Sequence, residues 1–112
     1  MADELTLELP GGRLTLSRDA VAEIVGSTAL ACYGVVGLTA ASRMQRFLHR
    51  EGVTVDGSAD ALRLGLHVVV EHGLNLAEVA ATVRRQVGWE VARLTGLTVE
   101  SVEVVVQQVR QS

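Results

Sequence analysis

Residues 62 to 106 switch so cleanly between two periodicities that little freedom is left in what they fold into. Leu62, Leu64, Leu66, Val68 and Val70 fall on every second position, with Arg63, Gly65, His67, Val69 and Glu71 between them, the pattern of a strand with one apolar face. His72-Gly73 ends that run. Asn75 followed by Glu78 is a capping-box signature for a helix start. Leu76, Val79, Ala80, Val83, Val87, Val91 and Leu94 then recur at helical spacing, giving one apolar stripe along about five turns. Gly96 supplies the helix stop. Val102, Val104 and Val106 alternate with Ser101, Glu103 and Val105 as a second half-buried strand.

The first half of the chain has a similar plan. Leu5, Leu7 and Leu9 alternate with polar residues, Pro10-Gly11-Gly12 is a turn signal, and Leu14 and Leu16 resume the alternation, which fits either a hairpin or an extended entry into a first core strand. Ser17 stands where an N-cap belongs, with Asp19 in the first turn beside the positive end of the helix dipole. Val21, Ile24, Val25, Thr28, Ala29 and Cys32 form the buried stripe of this helix, and Gly34 ends it before a short apolar strand that runs to Ala41. A short strand at Val53 to Val55 and a turn at Asp56-Gly57 lead to the long strand. Two strand-helix-strand halves predict an α+β, two-layer sandwich: a mainly antiparallel four-stranded sheet with two helices on one face, the ferredoxin-like β-α-β-β-α-β arrangement. The short central strand and any N-terminal hairpin are additions to it. At 112 residues the chain is expected to form one domain over its whole length.

Composition excludes several functions. Only one Phe, one Trp and one Tyr are present and the formal net charge is −3, so neither base stacking nor overall charge favours a nucleic-acid partner. Cys32 is the single cysteine; it can form no intramolecular disulfide and cannot supply the paired thiolates of a copper chaperone. His67 and Glu71 share a strand face but lie about 13 Å apart at strand rise, too far for one metal ion. No Ser or Cys has the context of an activated nucleophile, and the glycines form no phosphate-binding loop. No catalytic, cofactor-binding or metal residue is therefore assigned. Ile24 to Ser42 carries no charge, but its Gly, Ser and Thr content suits a buried helix running into a buried strand better than a membrane span. The acidic Met-Ala-Asp-Glu start lacks the features of a signal peptide, so a cytoplasmic protein is expected.

Two surface features remain. Trp89 lies off the main apolar stripe of the second helix, with Arg85 and Arg93 four residues to either side on the same face. A cation-π contact that covers the ring is one reading; an anchor for a protein partner or a second copy is the other. The second feature is the segment from Arg43 to Arg50, R-M-Q-R-F-L-H-R. If helical, it sets Arg43, Arg46 and Arg50 on one side with Met44, Phe47 and Leu48 beside them. It reads either as a solvated connector packed on the core or as a contact surface for an acidic partner or an anionic membrane face.

With these residues laid out, the chain resembles the alkaline shock protein family of bacterial general-stress proteins over nearly its whole length. The resemblance rests on G-R-L-T-L-S at Gly12 to Ser17, on Tyr33-Gly34-Val35-Val36-Gly37-Leu38, and on the run from Leu66 to Gly73 ending V-E-H-G. It continues through Leu94-Thr95-Gly96-Leu97 and V-E-S-V-E-V-V-V at Val99 to Val106. His72 departs from the Tyr usual in the family, Glu103 from an Asn, and Gly88 and Trp89 from a Lys-rich helix. The resemblance implies a non-enzymatic cytoplasmic interaction protein of the cell-envelope stress response. It also implies recruitment to the inner membrane face by a small membrane-protein partner or another envelope protein, self-association, and no cofactor or dedicated small-molecule ligand. The ferredoxin-like topology by itself leaves a small-molecule-sensing regulatory domain as the alternative.

Overall fold

The computed structural model describes residues 3–40 and 52–111. In chain order these form β1 (Glu4–Leu9), β2 (Gly12–Ser17), α1 (Arg18–Leu30), β3 (Val35–Leu38), β4 (Val53–Ser58), β5 (Ala61–Glu71), α2 (Leu76–Thr95) and β6 (Val99–Arg110). The alternating apolar run is β5, and it is the strand around which the main sheet is built. β3 and β4 both pair antiparallel with β5, β3 against Val68 to Val70 and β4 against Ala61 to Leu66, while β6 pairs with it in parallel from Leu62 to Glu71. The backbone of His67 marks the junction on the first edge: its carbonyl accepts from Thr39 N at 3.0 Å and its N–H donates to Gly52 O at 2.8 Å.

The apolar face of β5 decides where the helices go. Leu62, Leu64, Leu66, Val68 and Val70 are all buried, and they share one core with Val21, Val25 and Ala29 of α1 and Val79, Val83, Val87 and Val91 of α2. Burying each such side chain fully contributes about 1.5–3 kcal/mol. Both helices therefore cover one face of the sheet, and the expected α+β, ferredoxin-like two-layer sandwich is present. Within that class the strand preceding α1 joins the separate antiparallel hairpin β1-β2, and β6 lies parallel to β5. The hairpin puts Leu5, Leu7, Leu14 and Leu16 on one face; Leu5 is buried in the core, and Leu7 and Leu16 pack against it.

Local signals fix the helix ends. Ser17 Oγ accepts from Ala20 N at 3.0 Å and Asn75 Oδ1 from Glu78 N at 3.1 Å, each satisfying an orphan amide of a first turn. Gly96 closes α2 in the left-handed conformation at φ 80°. Burial along α2 follows the row Val79, Val83, Val87, Val91 and Thr95. Leu76 and Leu94, expected on the stripe, lie at the helix ends and are 40% and 52% exposed. Thr95 takes the last inward place because its hydroxyl is satisfied, donating to Val91 O and accepting from Leu97 N. The turn expected at Asp56-Gly57 falls instead at Ala59-Asp60, between the paired residues Ser58 and Ala61. Gly57 stays in the ladder opposite Leu62 with φ 90°, and a Cβ there would collide with Ala61 O. Its carbonyl accepts from Arg18 Nη2 at 2.8 Å, tying the start of α1 to the sheet.

Val83→Asp is expected to abolish folding, because an unpaired buried carboxylate costs several kcal/mol against a total stability of roughly 5–15 kcal/mol. Gly57→Ala should cost more than about 1 kcal/mol, through its strained φ and the clash with Ala61. Urea melts followed by circular dichroism check both; a wild-type midpoint for Val83→Asp would overturn the core placement.

Candidate functional site

With the sheet on one side, the outward surface of α1 and α2 carries the side chains that the core does not use. An open groove of about 530 Å³ runs between the helices, lined by Ser27, Thr28 and Tyr33 from one side and by Thr82, Gln86 and Glu90 from the other. Its walls follow from helical spacing: Thr82, Gln86 and Glu90 succeed one another at i, i+4 on the flank of α2 that faces α1. Tyr33 is 81% exposed. It is presented there because the chain must turn at Gly34, where φ is 92° and a Cβ would meet Leu74 Cδ1 at 2.7 Å.

Trp89 stands on the outer face of α2, next to Glu90, and is 60% exposed. Arg93 connects it to the groove wall. The Arg93 guanidinium donates from Nε to Glu90 Oε1 at 3.0 Å and from Nη2 to Glu90 Oε2 at 3.1 Å, and its Cζ lies 5.1 Å from the centroid of the indole ring. The Glu90 carboxylate holds the Arg93 pKa above its ordinary value through that fork and its charge. The cation-π contact expected from the sequence is thus formed, yet it leaves most of the ring in solvent. Arg85 is also exposed, one turn back on the same face. Arg43, Arg46 and Arg50 lie outside the described residues.

Cys32 shows what the groove cannot readily do. Its Sγ donates to Thr28 O at 3.4 Å and burial pushes its pKa up, so the thiol stays protonated near neutrality and is a poor nucleophile. On the face of the sheet away from the helices a smaller cleft of about 290 Å³ is lined by Thr54, Asp56, Arg63, Gly65, Ser101 and Glu103. His67 Nδ1 lies 2.8 Å from Gln107 Oε1 on that face. Among the described residues no three His, Cys, Asp or Glu side chains converge as metal ligands. Tyr33 was missed as a surface residue by sequence reasoning, although an aromatic directly before a helix-ending glycine, in a chain with so few aromatics, was the available signal.

The sequence profile of the alkaline shock protein family, whose function is described as cell envelope-related, matches residues 7–111. The chain belongs to the alkaline shock protein family. This bears out the resemblance drawn from the motifs. The chain is 30% identical over 107 residues to the uncharacterised protein YloU of Bacillus subtilis (strain 168), covering 88% of this chain and 89% of that protein. It is 29% identical over 107 residues to the uncharacterised protein Spy1614 of Streptococcus pyogenes serotype M6 (strain ATCC BAA-946 / MGAS10394), covering 88% of each. Among solved structures it is similar to the MamM CTD, with a TM-score of 0.53 at 14% identity, covering 81% of this chain and 98% of that one. At that identity the likeness speaks for the fold. Among the described residues of this alkaline shock family chain, no helix is long and apolar enough to cross a membrane.

The raised Cys32 pKa gives a signed expectation. A thiol with a folded pKa above its unfolded value favours the folded state at low pH, and that contribution is lost as pH rises through the folded value, above about 9.0. Wild-type stability should therefore fall more steeply above that pH than that of Cys32→Ser. At pH 8, Cys32 should react with a disulfide reagent more slowly than a free cysteine peptide; equal rates would show an accessible thiolate.

Proposed function

We propose that this member of the alkaline shock protein family is a non-enzymatic, cytoplasmic interaction protein of the envelope stress response, held at the inner membrane face by a partner that docks on its helical layer. The observation that carries this reading is Trp89: a large aromatic, 60% exposed, steadied by the Glu90–Arg93 fork at the edge of an open groove. Interface hot spots are enriched in Trp, Tyr and Arg, and this surface presents Trp89, Tyr33, Arg85 and Arg93 together. A side chain already ordered in the free protein loses less entropy on binding. The groove lining of hydroxyls, an amide and a carboxylate occupied by Arg93 suits docking better than proton transfer.

Arg43, Arg46 and Arg50 would supply an electrostatic component. Three basic residues near an anionic leaflet contribute about 3 kcal/mol in all, about a hundredfold in affinity. Such an attraction assists a protein partner without replacing it. The alternative, a small-molecule-sensing domain, draws support from the size of the groove, which lies in the range of ligand pockets. A thermal-shift screen with amino acids, nucleotides and acyl ligands separates the two, since a ligand that binds only the folded state raises the melting temperature.

Affinity capture from envelope fractions of the source organism, quantified by mass spectrometry, should enrich a partner with the wild-type chain and lose it with Trp89→Ala. With that partner purified, Trp89→Ala should weaken binding about thirtyfold, the effect of losing about 2 kcal/mol, at an unchanged melting temperature. Unchanged affinity would rule out the helical layer as the docking surface. In co-sedimentation, the wild type should bind anionic vesicles at low salt and release at physiological salt, and changing Arg43, Arg46 and Arg50 together to Gln should remove the low-salt binding. Equal, salt-insensitive binding by both proteins would refute the electrostatic component.

A further inference from the structure

The two edges of the main sheet differ. On one, β3 and β4 divide the length of β5 between them, and the register of β3 shifts between Val35 and Gly37. On the other, β6 runs unbroken from Val99 to Arg110 beside β5, and among the described residues no strand pairs with its outer side. Half the backbone N–H and C=O groups of such a strand point away from the sheet, and they offer a template for another strand. Natural edges are usually blocked by Lys, Pro, brevity or bulges. β6 is twelve residues long and has neither Lys nor Pro. Its register shifts fall outside the stretch from Ser101 to Val106, which stays regular.

We propose that β6 pairs antiparallel with β6 of a second copy of this chain, about a two-fold axis at Val105, joining the two main sheets into one. Charge selects this occupant and its direction. Glu100 and Glu103 lie in the first half of the strand and Arg110 at its end, so antiparallel pairing sets the acidic end of one copy beside the basic end of the other, whereas parallel pairing opposes like charges. Parity selects the centre. Directly opposed residues share a sheet face, so with Val105 facing Val105 the core-side valines Val104 and Val106 meet each other. Centring on Glu103 would instead oppose two carboxylates. α2 adds to the contact: Gly88 packs over Val102, 3.6 Å from its Cγ2 to the position of a Cβ. Ala77, Ala81 and the exposed Arg84 share that flank of the helix with Gly88.

This dimer uses the sheet edge and the flank of α2 above it and leaves the outer face with Trp89 and the groove between the helices open, so it stands apart from the proposed docking surface. Sedimentation velocity on the full chain should show a dimer at micromolar concentrations, and Val105→Lys, which opposes two ammonium groups across the axis, should shift it to monomer at an unchanged melting temperature. In a Cys32→Ser background, Val105→Cys should form a disulfide-linked dimer under mild oxidation, since directly paired strand residues lie within disulfide reach; Glu78→Cys on the helical layer should not. Trp89→Ala should remain dimeric. A wild-type chain that stays monomeric throughout overturns the proposal, as does a folded Val105→Lys protein that still dimerises. Should Val105→Lys unfold, failure of Val105→Cys to crosslink in preference to Glu78→Cys decides against it.

Discussion

Every pairing in the main sheet has β5 as one partner. β3, β4 and β6 each bond to it, and their register across the sheet is inherited from it. Its alternation therefore does two things at once: it fixes which face the helices must cover, and it fixes the position of each neighbouring strand. A one-residue slip would turn Leu62, Leu64, Leu66, Val68 and Val70 to the uncovered side and bring Arg63, His67 and Glu71 into the core. That cost makes one register dominate, so the surfaces on α2 and β6 are held in a defined relation to each other.

The core that results is made of small branched side chains, with Val at most of its fully buried positions. β-branched side chains are stiff at χ1, so they lose little freedom on packing. The aromatics are then left for other uses, and Tyr33 and Trp89 are both exposed. In a chain this sparing of aromatics, the combination of a self-sufficient aliphatic core and two outward rings is what directs attention to the helical layer.

Much of this was legible in the sequence, wherever one residue type answers to one physical demand. Ser17, Asn75 and Gly96 fell at their helix ends because orphan amides and a left-handed turn leave few choices, and the inward faces of β5 and α2 followed from period alone. The parallel placement of β6 was not legible, since alternation gives the faces of a strand and says nothing of its neighbour or direction. Asp56-Gly57 looked like a hairpin loop because the same positive φ that serves a turn here serves a kink toward Arg18. Leu76 and Leu94 obeyed the helical period yet remained exposed, since the period cannot tell where a helix overhangs its core. For the site, sequence isolated Trp89 with its arginines, but the groove needs α1 and α2 side by side and so belongs to tertiary structure.

The two hydrogen bonds at His67 have a consequence for how this architecture tolerates change. Thr39 donates to its carbonyl and its N–H donates to Gly52, so two points of the chain thirteen residues apart in sequence are held at one residue of β5. The number of residues between two such anchors is not set by strand register. Lengthening a flexible connection between two fixed anchors costs only about 0.6 kcal/mol for each doubling. The junction is a natural socket, where segments of different size or charge can be exchanged while the sheet, the helical groove and the β6 edge keep their geometry.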